Sequence, residues 1–432
     1  MKKLLSIVLA GAMACSLAAC GGSKPAESTA APAAETTAAA EETKAEAEET
    51  TAAEETKAEA EAAQGEGIAK EDLKVGFIFI GDENEGYTAA HYAGAKKMQE
   101  EIGLTDDQMI IKWTVPEDES CYDAAVDLAE QGCQIIFGNS FGFEDYMIQA
   151  AEEYPEIQFC HATGYQAASC GLENVHNYFT SVFESRYVSG VVAGLKLNEM
   201  IADGTVTEDA CKIGYVGAFP YAEVVSGYTS FFLGVRSVCP SATMEVTYTN
   251  SWASFDLEKE AAEALIADGC VLISQHADTT GAPTACEAAG VPVVGYNISM
   301  IPTAPTQALT SASIEWGPYT TYAVQCMLDG KAIDTDWCHG YAEGADKITE
   351  LNEAAIAEGT ADKVKEVEDA IKSGSLHVFD TSTWTVDGKT LDTYKKEGID
   401  VEYISDGYFH ESEFGSAPAF DIRIDGITEK TN

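Results

Sequence analysis

From about residue 70 onward, short apolar runs alternate with longer segments whose apolar positions recur every three to four residues. Runs at Lys74–Ile80, Met109–Thr114, Gln134–Gly138 and Gln158–Ala162 read as strands. A continuous apolar run bounded by turn residues marks a strand buried on both faces. Between these runs, helical spacing covers Tyr87–Ile102, Tyr122–Gln131 and Phe143–Tyr154. A second series opens with a helix from Glu184 to Met200, where Ser189, Gly190, Ala193 and Gly194 are small enough for close helix contact. Strands follow at Lys212–Ala218, Met244–Thr249, Val271–Gln275 and Val291–Gly295, with helices at Tyr221–Val238, Phe255–Asp268 and Pro283–Ala289. Alternation of this kind builds βαβ units and a parallel sheet. Two series in tandem predict a two-lobed α/β protein. The strand Leu309–Ile314 and the helix Gly317–Leu328 are read as returning to the first lobe. The tail, with Leu376–Phe379 and Thr383–Val386, is read as closing over both lobes and the hinge. The expected division is a first lobe of 71–180 plus 305–335, and a second of 181–304 plus part of 336–432.

The N-terminus departs from this pattern. Lys2 and Lys3 precede an apolar stretch, Leu4–Ala14, too short to span a bilayer, which ends in Leu17-Ala18-Ala19-Cys20. The order matches a signal peptide with a lipobox. It predicts cleavage before Cys20, which becomes the lipidated first residue of the mature chain, and anchoring at the extracytoplasmic face of the cell membrane. Residues 21–70 are mostly Ala, Glu and Thr, with AAEETKAEAE at 39–48 and again at 52–61. Such a segment cannot bury a core and reads as an acidic, disordered tether.

Net charge is -47 over 432 residues, and the folded part is acidic as well as the tether. That argues against nucleic acid as a partner and mildly against phosphorylated ligands. The histidines show no metal-ligand spacing, so neither a metal nor a cofactor is expected. No CxxC motif occurs among the cysteines. Outside the membrane they are open to disulfide formation, and equally they are small buried residues.

The candidate chemistry lies where the strands end. In open parallel sheets, ligands bind beyond the carboxyl ends of the strands. Those ends read GDENEGY after the first strand, GNSFG after the third and HATGY after the fourth. In the second series they read FPY, NSW, QHAD and GYN. Aromatic faces, amides and acids at successive strand ends suit a flat polar heterocycle held in a cleft. One rival reading is enzymatic. Gly138-Asn139-Ser140-Phe141-Gly142 fits G-x-S-x-G between strand and helix, with Asp278 and His339 or His377 downstream. No HGGG-type oxyanion loop accompanies it, and tandem sheets are not a hydrolase architecture.

From about Lys74 to Asp336 the chain resembles the basic membrane protein family, lipoprotein solute-binding components of ABC transporters that include purine nucleoside receptors. The resemblance rests on ordered stretches, among them VGFIFIGDENEGYTAAHYAG, KIGYVGAFPYAEVVSGYTSFFLGVRSV, NSWASFD, ALIADGCVLISQHADTTG and VPVVGYN. It implies a type I periplasmic-binding-protein fold, a parallel sheet in each lobe, three hinge crossovers and no catalysis. It further implies a purine base or nucleoside as ligand, and an ABC permease with its ATPase as partners. Carried over by motif, Tyr87 and Trp252 are the stacking residues, with Asp82 near the ligand. Ser140 and Phe141 line the first lobe, and His161 follows its fourth strand as a further contact. His276, Asp278, Gly295 and Asn297 fall in the contact loops of the second lobe. Gly295-Tyr296-Asn297 lacks the acid and Lys of the nucleoside receptors, which points to a free base such as adenine. A sensor or surface lipoprotein of the same fold is the alternative.

Overall fold

The computed structural model describes residues 66–430, all of which belong to one compact unit. The signal peptide, Cys20 and almost all of the tether lie outside them.

In chain order the first series runs β1 (Val75–Ile78), α1 (Gly86–Ile102), β2 (Met109–Lys112), α2 (Glu119–Glu130), β3 (Ile135–Gly138), α3 (Glu144–Glu153), β4 (Gln158–Ala162) and β5 (Val175–Thr180). The second runs α4 (Val182–Ala202), β6 (Lys212–Gly217), α5 (Ala222–Val238), β7 (Thr243–Tyr248), α6 (Phe255–Ala267), β8 (Leu272–Gln275), α7 (Gly281–Ala289), β9 (Val293–Tyr296) and β10 (Ala308–Ile314). Then come α8 (Gly317–Asp329), β11 (Asp336–His339), β12 (Asp346–Ile348), α9 (Thr360–Lys372), β13 (Ile404–Ser405), β14 (Tyr408–Phe409) and β15 (Ile427–Glu429).

The first sheet is ordered β11-β5-β4-β3-β1-β2, and all its pairings are parallel. The second is ordered β12-β10-β9-β8-β6-β7-β15 and is parallel except at β12. The inner order 2-1-3-4-5 of the first recurs as 7-6-8-9-10 in the second. Each lobe therefore has a switch point where the strand order reverses, beside β1 and beside β6.

The sequence reading put the strand ending at Ile314 in the first lobe. It pairs instead with β9 in the second sheet, and only the helix after it, α8, crosses over. There Trp316 packs on α1, where a Cβ at Gly94 would stand 2.6 Å from the Trp316 Cβ. The crossover falls between strand and helix, and no change in hydrophobic pattern marks it. β5 was also not anticipated. Its His176 and Asn177 interrupt the apolar run, yet both are satisfied, by Gln158 and the Asp334 carbonyl and by Ala167 and Glu144 respectively.

Three crossovers join the lobes, at 180–182, 314–317 and 339–346. They lie against one another. The Thr180 hydroxyl donates to the Asp346 carboxyl at 2.7 Å, Ser181 N–H to the His339 carbonyl at 2.9 Å, and Glu315 N–H to the Ala345 carbonyl at 2.8 Å. Asp346 is buried, and burial holds its carboxyl well above the usual range.

Helix α4 meets α5 almost backbone to backbone. A Cβ at Gly190 would come within 2.1 Å of the Phe231 carbonyl oxygen, and one at Gly234 within 2.1 Å of that of Tyr187. The tail belongs to this same core. Phe379, Trp384, Tyr403, Phe409 and Phe420 pack with α4 and α5, and β15 adds a strand beside β7. Glu411 fixes the tail to α5. It accepts from the Ser226 hydroxyl at 2.6 Å and from the Ala419 and Phe420 N–H groups at 2.8 and 2.7 Å. All ten cysteines among the described residues are free thiols. Burial pushes several of them up, Cys160 to about 12.

Two outcomes follow from this packing. Gly234→Ala forces α4 and α5 apart and lowers stability by about 1–3 kcal/mol, read from urea unfolding. The second concerns pH. Burial raises the Glu258 and Glu411 carboxyls to about 7, whereas burial lowers His91, His161, His176 and His276. A raised carboxyl contributes stability that is lost as pH climbs from its unfolded value to its folded one. A lowered histidine does the reverse, and about 0.4 kcal/mol of that gain is still to come at its unfolded value of about 6.5. Burial raises Glu184 and Glu223 to about 7 as well. Between pH 6.5 and 8 each of the four glutamates costs roughly 0.8 kcal/mol and each of the four histidines adds about 0.4, so unfolding free energy should fall by roughly 1.5 kcal/mol. A rising profile would contradict the assignment.

Candidate functional site

The carboxyl ends of both sheets face a cavity of about 200 Å³. Four strands of each lobe contribute to its wall. From the first lobe come Ile80, Gly81, Glu85 and Tyr87 after β1, Glu117 after β2, Asn139 to Phe141 after β3 and Thr163 after β4. From the second come Glu223 after β6, Trp252 after β7, Asp278 after β8 and Tyr296 at the end of β9.

Left-handed backbone marks several of these ends. Thr114, Thr163, Asn250 and Asn297 have φ of 54°, 69°, 55° and 64°. For a β-branched residue this is a strained conformation, of the sort retained where a loop must aim a side chain.

The opening stretch of the first lobe works through Glu85. Its carboxylate caps α1, accepting from the N–H groups of Tyr87 and Thr88 at 2.7 and 2.8 Å, and it borders the cavity. Asp82, expected near the ligand, is exposed, and its carboxylate closes a turn on Asn84. Gly86 touches the other lobe, where a Cβ would stand 3.0 Å from the Asp278 carbonyl oxygen. Tyr87 lines the cavity and donates its hydroxyl to the Asn139 carbonyl at 2.5 Å. Its ring is set edge-on by His91 and Trp316, at centroid distances of 4.6 and 6.0 Å.

Ser140 and Phe141 both line the cavity. The Ser140 hydroxyl donates to Glu117 at 2.6 Å, and no histidine approaches it. His161 reaches the Ser140 carbonyl oxygen instead, at 2.6 Å, and supports the loop from behind. His377 stacks on Tyr408 in the tail, and His339 lies beside Glu343. The arrangement a serine nucleophile requires is not assembled.

In the second lobe Trp252 packs against Phe219 and Tyr221, at centroid distances of 5.5 and 6.3 Å. Tyr221 also meets Phe141 across the cleft at 6.4 Å, so aromatic rings of the two lobes touch. Asp278 is 8 % exposed and accepts from the Asn297 side-chain N–H at 2.6 Å. Burial, with Glu85 and Glu258 near, holds its carboxyl well above the usual range. Asn297 thus orients Asp278 rather than lining this cavity. Gly295 is a packing residue, since a Cβ there would meet Met300 and Ser311 within 2.5 Å. His276 also lies behind the wall. Its ring is 4.9 Å from that of Tyr296, with Glu223 at 3.3 Å on one nitrogen and the Tyr215 hydroxyl at 3.4 Å on the other.

Arg186 was not singled out from the sequence. Its side chain is fully buried from the second turn of α4, donates to the Gln275 carbonyl at 2.6 Å, and lays its guanidinium 3.7 Å over the Tyr296 ring. Burial raises Glu223 to about 7, with Arg186 opposing. Glu85, Glu117 and Glu223 were missed as well, because acids near a helix start ordinarily read as capping residues. Among its lining residues the cavity has four carboxyls and no Lys, Arg or His.

Comparison with known proteins agrees with this architecture. The family described as ABC transporter substrate-binding proteins, PnrA-like (Bmp), matches residues 73–378. A purine-binding protein of Brucella abortus is 33% identical over 332 residues, covering 75% of this chain and 90% of that one. A Haloferax volcanii protein, named as a glucose-binding protein of an ABC transporter, is 30% identical over 311 residues, 72% of this chain and 74% of its own. Among solved structures, an Aeropyrum pernix solute-binding protein superposes with TM-score 0.59 at 17% identity, over 71% of this chain and 93% of that one. One from Conexibacter woesei gives 0.57 at 19%, over 71% and 98%. With its type I periplasmic-binding fold and its strand-end cleft, the chain belongs to the Bmp family of ABC transporter substrate-binding proteins.

Proposed function

We propose that the protein captures a purine base of the adenine type, or its nucleoside, and delivers it to an ABC permease and its ATPase. We place the working protein on the extracytoplasmic face of the membrane, held by lipid on Cys20. The observation that carries the ligand is the composition of the cavity. Tyr87 from one lobe and Trp252 from the other supply aromatic walls, and every ionisable side chain on the lining that is not a tyrosine is an acid. An anionic ligand would meet four carboxyls with no cation to offset them. A neutral heterocycle rich in N–H donors meets acceptors. The relative named as purine-binding supports the same choice.

Asp278 gives the reading its direction. We infer that Asp278 carries a proton in the site, and a protonated carboxyl is at once a donor and an acceptor. It therefore complements the amine-and-ring-nitrogen edge of an aminopurine, which presents one of each. Asn297 fixes the orientation in which it does so. An analogue without that edge would strand both groups, which is the main source of discrimination in a buried polar site.

Two measurements test this. In calorimetric titration of refolded protein, adenine should bind while AMP and glucose do not, and Trp252→Ala should weaken adenine by roughly tenfold to a hundredfold, the worth of one stacking face. Glucose binding in place of adenine would sink the ligand assignment and leave the fold untouched. Asp278→Ala should lower adenine affinity by about tenfold or more, with a smaller effect on an unaminated purine. Equal losses for the two purines would remove Asp278 from the reading of that edge.

A further inference from the structure

The cavity between the lobes does not end at Trp252. A second one, of about 460 Å³, adjoins it and shares Phe141, Thr163, Glu223 and Trp252 with it. Its far wall is the C-terminal segment, through Lys396, Ile399, Tyr403 and residues between 412 and 419. These positions follow residue 378, where the match to the family ends.

The exposed apolar side chains point to the same place. Seven large apolar side chains stand exposed among the described residues, and five of them line this one hollow. They are Phe141 at 47%, Tyr165 at 62%, Tyr221 at 50%, Ile399 at 45% and Phe414 at 56%. Single exposed apolar residues need no explanation, but five around one cavity make a binding surface. The wall they form is held in place. Ser416 N–H donates to Asp336 of the first sheet at 3.0 Å, Glu411 ties the segment to α5, and Phe414 sets its ring edge-on to Tyr403 at 5.6 Å. Ser412 sits in left-handed backbone, φ 58°, as the strand ends of the first cavity do. Lys396 is the one cation on the lining, its ammonium 5.8 Å from the Tyr403 ring centre, against the acids Glu223 and Asp336.

Resting on the purine reading, we propose that the C-terminal segment builds a second compartment of the ligand site, which takes an uncharged, apolar ring carried as a substituent on the purine. The four shared residues set the two cavities side by side, so the second lies within reach of a group attached to a base in the first. A bare base leaves five apolar side chains facing water. A ring substituent covers them, which adds affinity in proportion to the apolar area removed from water.

The test is a calorimetric titration of the full chain with adenine, adenosine and 6-benzylaminopurine, repeated on Phe414→Ala and Ile399→Ala. Both substituted side chains are about half exposed, and thermal unfolding confirms that the variants fold. On the unsubstituted protein, 6-benzylaminopurine should bind about tenfold or more tighter than adenine. That gain should be lost in Phe414→Ala and reduced in Ile399→Ala, with adenine changed less than about twofold in each. If adenine binds and the benzyl ring adds nothing, or if Phe414→Ala weakens both ligands alike, the second compartment is overturned while the purine reading stands. If adenosine gains as much as the benzyl compound, the claim of an apolar substituent is overturned. If no purine binds, both readings fall together.

Discussion

The Thr180 hydroxyl on the Asp346 carboxyl joins the first crossover between the lobes to the third. Much else depends on this junction. A parallel sheet has its strand ends along one edge, because each strand returns through a helix. Two such edges make a cleft only if the chain passes between them at one place. Three crossovers lying side by side provide that place, and Asp346 is buried among them with its carboxyl held well above the usual range. The switch points beside β1 and β6 then face each other, and the loops that open there become the two walls of one site.

The chemistry of those walls is governed by burial. Asp278 and Glu223 are carboxyls removed from water, and each is held above the usual carboxylate range for that reason. A site that carried all its acids ionised would repel itself. Raised carboxyls soften that repulsion and convert acceptors into donor–acceptor groups. Arg186, set behind Tyr296, restrains Glu223 without presenting a cation to the cavity. The charge that balances the site is thus separated from the ligand by an aromatic ring.

Much of this was legible in the chain. Continuous apolar runs alternating with helical spacing identified two parallel sheets, and Gly190 and Gly194 gave away the tight contact of α4. Tyr87, Ser140, Phe141, Trp252 and Asp278 line the cavity as the strand-end reading proposed. What failed did so for identifiable reasons. Asp82 and Glu85 are separated by only three positions in one acidic loop, and which of them turns inward depends on which caps α1. β5 hid behind His176 and Asn177, whose partners come from distant segments. Ala308–Ile314 carries the same apolar pattern whichever sheet receives it. Arg186 was invisible because a charged residue within a helix reads as solvent-facing until its neighbours are known.

Gly86 has a consequence for how near the two lobes can come. Its missing side chain lets the first turn of α1 rest against the Asp278 carbonyl. Any side chain there would crowd that oxygen, so the width of the cleft at this edge is fixed by an atom the sequence leaves out.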